Sequence, residues 1–92
     1  MSTPGHYNEV VLVGDIREVY TDENSAVIGA ILMVNTGEPC EVPVMFPGAR
    51  LGMSVGDRLW VRGRLAFELT PNRRESLLFV QACWIDAVTR PR

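Results

Sequence analysis

In the stretch SVGDRLWVRGRL, residues 54–65, Arg58, Trp60, Arg62 and Arg64 stand at every second position. Extended backbone sends successive side chains to opposite faces, so these four share one side and Leu59, Val61, Leu65 and Phe67 share the other. The second set reads as core. The first set combines three guanidinium forks, which match phosphate oxygens, with an indole, a flat surface on which any nucleobase can stack. Contacts of that kind hold a single strand without reading its sequence. The competing reading is a solvated outer face on which Trp60 covers a barrel seam or a dimer contact.

A row of this kind needs a strand on a rigid support, and the chain supplies short apolar stretches separated by turn signals. Asn8 to Ile16 alternates, with Val10, Leu12, Gly14 and Ile16 on one side. Val11 and Val13 then point outward between Glu9 and Asp15. Thr21 to Ser25 is a polar turn, and Ala26 to Val34 is an apolar run rich in β-branched residues, which suits a second strand with both faces covered. Asn35 to Pro39 is a turn, followed by a third strand, Cys40 to Phe46, in which Pro43 points to an edge or a bulge. Pro47 to Asp57, with three glycines and a proline, has room for one helical turn at most. Arg58 to Leu69 is the fourth strand, Thr70 to Ser76 a turn, and Leu77 to Val88 the fifth. Five short strands without an amphipathic helix favour a small closed barrel, and glycines at 14 and 63 permit the sharp coiling that closure requires.

The 92 residues form one domain spanning 1–92, and 47% hydrophobic against 22% charged residues mark a folded chain. No apolar run reaches the roughly 20 residues of a membrane helix, and the start lacks the pattern of a secretory signal, so the expected location is cytoplasmic. Cys40 and Cys83 lack metal-ligand spacing and His6 is the sole histidine, so neither a metal nor a cofactor is expected, and the thiols read as free and half-buried. The net charge of −2 hides an asymmetry: residues 1–46 carry Arg17 against seven acids, whereas residues 47–92 carry eight arginines against four acids. No nucleophile elbow, phosphate-cradling glycine loop or spaced carboxylate pair is present, so the chain does not read as an enzyme.

Three segments resemble the bacterial single-stranded DNA-binding protein family: NEVVLVG at 8–14, AVIGAILMVN at 26–35 and VGDRLWVRGRL at 55–65. CEVPVMFPG at 40–48, followed by SVGDRLWVRG, is closest to the primosomal replication protein B type. The resemblance runs in order along nearly the whole chain. It implies an all-β, five-stranded OB-fold barrel that pairs as a homodimer through the first strand, with Val11 and Val13 at the contact. It also implies Phe46 as a stacking residue, although a Phe at a strand end reads equally as core, and Arg73 and Arg74 as phosphate contacts in the loop between strands four and five. Pro39 and Cys40 stand where that family usually places a stacking Trp. Trp84 reads as a buried or interface residue.

The expectation is an OB-fold barrel that binds single-stranded DNA without sequence preference, through Arg58, Trp60, Arg62, Arg64, Arg73, Arg74 and Phe46. The implied setting is replication, restart or recombination. Two rivals remain: an OB-fold subunit whose acidic half and arginine row both meet protein, and an RNA-binding OB module.

Overall fold

The computed structural model describes residues 6–69 and 76–88. Five strands, β1 (Val10–Thr21), β2 (Val27–Asn35), β3 (Pro39–Arg50), β4 (Arg58–Leu69) and β5 (Ser76–Val88), close into a barrel in the order β1-β2-β3-β5-β4. All neighbours are antiparallel except β3 and β5, which meet in parallel over a short register, Val44 opposite Val80 and Met45 opposite Gln81. This is the expected all-β OB-fold architecture.

Strand β1 runs further than its alternation suggests, because it serves two neighbours. Its first half, Val10 to Asp15, pairs with β4 from Gly63 back to Arg58, and its second half pairs with β2. Pairing with β2 starts at Asp15, and a bulge at Arg17 then resets the parity. The bulge is tied down from outside the strand, where Ile16 N donates to Asp57 O at 2.8 Å and Gly56 N donates to Ile16 O at 2.8 Å. These bonds also fix the start of β4 beside Asp15.

Two glycines permit the close approaches of the barrel wall. A Cβ on Gly14 would lie 2.7 Å from the Met33 carbonyl oxygen, and one on Gly63 would collide with the Gln81 carbonyl oxygen. Pro43 is paired with Ile31 of β2, and β5 reaches β3 only at Val44 and Met45, so the proline lies where β3 has one neighbour and its missing N–H breaks no ladder. β3 continues to Arg50, past the expected end at Phe46, and the remaining loop turns on Gly52 and Gly56 with positive φ.

The core consists of Ile16, Val27, Ala30, Leu32, Val44, Phe46, Leu59, Val61, Val80, Ala82 and Ile85, with no buried polar or charged residue among those described. Two expected core members are missing. Leu65 is 46% exposed and Phe67 is 64% exposed. Parity put both on the correct side of β4, but β1 covers that strand only as far as Gly63. Leu65 is still paired with the buried Val80, which also pairs with Val44 of β3, and beyond that pair β4 and β5 continue as a two-stranded ribbon on which Leu78, the partner of Phe67, is likewise exposed. No helix among the described residues is long and apolar enough to cross a membrane.

Candidate nucleic-acid interface

The outer face of β1, β4 and β5 is organised in cross-strand rows. Val13, Trp60 and Asp86 form one row and Val11, Arg62 and Trp84 the next, because paired residues on adjacent strands point to the same side. Arg58 lies opposite Asp15 in the row beyond Trp60. Arg58, Arg62 and Arg64 are exposed and Trp60 is half-buried, so the arginine row faces outward as its parity requires.

Trp84 joins this row through a bulge. Register moves from Arg62 opposite Trp84 to Gly63 opposite Ala82, which leaves Cys83 as the extra residue. The Cys83 thiol donates to the Arg62 carbonyl at 3.3 Å, and Trp84 is left 58% exposed on the outer face. Of the two readings for Trp84, burial within the chain is therefore overturned, and a place at an interface is left. Trp60, Arg62, Cys83, Trp84 and Asp86 enclose a cleft of about 630 Å³. A second hollow of about 400 Å³, lined by residues including Glu9, Arg62, Arg64 and Gln81, adjoins it, and Arg62 borders both. Two tryptophans thus share one open cleft with Arg62.

Charge on this face is balanced within the chain. The Asp15 carboxylate lies 2.9 Å from Arg58 Nε, and the Glu9 carboxylate lies 3.1 Å from Arg62 Nε. Tyr7 donates its hydroxyl to the other oxygen of Glu9. Asn8 continues the ladder past the end of β1, its side-chain amide donating to Leu65 O and accepting from Leu65 N, both at 2.8 Å. That double bond holds the chain beside β4 and sets Glu9 next to Arg62. The Tyr7 hydrogen bond, followed by the Arg62 charge, holds the Glu9 carboxyl below the usual carboxylate range, and the same bond raises the Tyr7 phenol above its ordinary value. Asp15 in turn holds Arg58 more firmly protonated. Among the described residues Arg64 has no such ion pair.

The other outer face, on β1, β2 and β3, has a different character. Its rows are Glu18, Ile31 and Pro43, then Tyr20, Gly29 and Met45, with Met33 opposite Glu41. Its Arg17 is paired with Glu41 at 3.0 Å. A polyanion finds little to hold it there, which directs attention to β4 and β5.

The candidates from sequence divide as follows. Arg58, Trp60, Arg62 and Arg64 share one face as expected, and Val11 and Val13 are exposed at 52% and 47%. The two groups are cross-strand neighbours on a single face, Val11 beside Arg62 and Val13 beside Trp60. Phe46 is 7% exposed and belongs to the core, so its ring is closed to stacking and the role implied for it is corrected. Arg73 and Arg74 lie outside the described residues. Cys40 and Cys83 are free and exposed rather than half-buried. No group of three His, Cys, Asp or Glu among the described residues could hold a metal. Trp84, Glu9 and Asp15 were not among the sequence candidates: a bulge conceals the first, and the other two acquire their partners only when β1 pairs with β4.

No protein-family model matches the chain, and no curated protein matches it. Among solved structures, the N-terminal domain of PriB protein from Thermoanaerobacter tencongensis is similar, with a TM-score of 0.65 and 22% identity over 90% of this chain and 98% of that one. That domain is described as dimeric. The likeness establishes a shared OB-type barrel.

Proposed function

We propose that this chain binds single-stranded DNA without sequence preference, as a cytoplasmic, non-catalytic OB-fold homodimer serving replication, restart or recombination. The observation that carries this reading is the cleft that Trp60 and Trp84 share with Arg62. Stacking of a base on an aromatic side chain contributes about 1 to 3 kcal/mol regardless of base identity, and the adjacent guanidinium is suited to the linking phosphate. Arg58 and Arg64 extend the basic row along β4, and Arg73 and Arg74, which follow β4 in sequence, add basic charge outside the described residues. Val11 and Val13 offer an apolar strip on β1 for a second copy, a pairing supported by the dimeric neighbour. The motif resemblance supports the replication setting.

A second reading has its own support. Val11, Val13, Trp60 and Trp84 form one apolar surface, and the pairing of Arg58 and Arg62 with Asp15 and Glu9 suits burial against protein. On that reading the second copy covers the tryptophans as well.

Titration of intrinsic tryptophan fluorescence with a poly-dT oligonucleotide at low and moderate salt separates the two. Quenching that weakens with salt, while the dimer persists, supports the DNA reading. No binding, together with a dimer in which the tryptophans are shielded from a soluble quencher, replaces it with the protein-interface reading. Stronger quenching by poly-rU than by poly-dT moves the assignment to RNA.

A further inference from the structure

We infer that Glu9 and Asp15 are built-in competitors for the ligand's phosphates, holding Arg62 and Arg58 until a multidentate polyanion displaces them. The inference rests on the nucleic-acid reading of the Trp60–Arg62–Trp84 cleft. Carboxylate and phosphate compete for the same guanidinium donors, so an arginine already paired with one must be released to engage the other.

Both carboxylates are held in place by bonds beyond their own ion pairs. Glu9 is flanked by Asn8, which is doubly hydrogen-bonded to the Leu65 backbone, and its second oxygen is held by the Tyr7 hydroxyl. Asp15 is fixed opposite Arg58 by the β1–β4 register and by the backbone bonds that anchor its neighbour Ile16 to Gly56 and Asp57. Neither pair is buried: the arginine side chains are 55% and 54% exposed. Exposed pairs of this kind are weak and readily exchanged.

The consequence is selectivity. A lone phosphate gains little by trading places with a fixed carboxylate, because one ion pair replaces another. A single strand that also stacks bases on Trp60 and Trp84 has a surplus with which to open both pairs. The carboxylates therefore reduce occupancy by small anions and other incidental anionic groups, and they lower the salt sensitivity of the site. A carboxylate that loses its arginine to a phosphate draws a cation as the strand gives one up, so fewer counterions are released on binding.

The test compares the full chain with Glu9→Gln, Asp15→Asn and the double variant, titrated with a poly-dT oligonucleotide over a salt series, with sedimentation velocity on each. Glu18→Gln, which removes one exposed carboxylate from the other outer face, controls for the general change in charge. The expected result is a gain in affinity of about two- to fivefold per carboxylate removed. The slope of log K against log salt should also steepen by about 0.7 per freed arginine. Glu18→Gln should show neither change, and assembly should be unaltered throughout. If Asp15→Asn loosens the β1–β4 ladder, Glu9→Gln alone carries the test. Wild-type binding with unchanged affinity and slope in the variants overturns the competition while leaving the DNA reading intact. Absence of binding in every protein, with weakened dimers in the variants, overturns both in favour of a self-interface. Absence of binding with unaltered dimers also overturns both.

Discussion

Trp84 and Arg62 are direct cross-strand partners on the outer face of the barrel, placed there by a bulge that sets Cys83 aside. This pairing joins an aromatic plane from β5 to the basic row of β4, and it makes the cleft more than a feature of one strand. Each tryptophan should therefore contribute to ligand binding. Trp84→Ala and Trp60→Ala should each weaken oligonucleotide binding by about 1 to 3 kcal/mol. Trp84→Ala, at an exposed position, should leave thermal stability within about 0.5 kcal/mol. Isothermal titration and thermal unfolding of the two variants would check this, and full retention of affinity in both would remove the stacking account.

Val11 and Arg62 are likewise cross-strand neighbours, so the proposed dimer contact and the proposed ligand contact meet at this position. Val11→Asp should dissociate the homodimer and also weaken DNA binding, because the new carboxylate lands beside the guanidinium. Sedimentation and titration of the same sample test both effects. A variant that dissociates yet binds with unchanged affinity would place the ligand elsewhere on the barrel.

Burial on β4 ends at Gly63, and the energetic cost of truncation should end there too. Leu59→Ala, at a fully buried side chain, should destabilise the fold by about 2 to 5 kcal/mol. Phe67→Ala, of the same parity but 64% exposed, should cost about 0.5 kcal/mol or less. Urea unfolding of the two variants compares them directly. Equal losses would mean that the ribbon is covered in solution.

The Glu9 carboxyl should titrate below the ordinary carboxylate range, observable by NMR of its side-chain carbonyl. Its folded-state value is depressed, so its contribution to stability is present above the unfolded value and is lost as pH falls through the folded one. Tyr7→Phe removes the largest cause of the depression and should bring Glu9 back toward the ordinary range, with the Arg62 charge still holding it slightly low. An unchanged titration in Tyr7→Phe would show that the phenol does not hold the carboxylate.

The amino-acid sequence by itself determined the barrel and the orientation of its most informative strand. Alternation is a local property, so Arg58, Trp60, Arg62 and Arg64 separate from Leu59 and Val61 wherever β4 is regular, and the glycines at 14 and 63 signal the close approaches of the wall. What alternation cannot give is register between strands distant in sequence, or the point where one strand stops covering another. Tertiary structure alone decided that Leu65 and Phe67 pass beyond the end of β1 into solvent, and that Phe46 is enclosed by the core. It alone turned Trp84 outward at a bulge and brought Glu9 and Asp15 against two of the three arginines. Each of these outcomes depends on how far closure of the barrel shifts one strand along its neighbour, and that shift is set by the packing of the whole core rather than by any one segment.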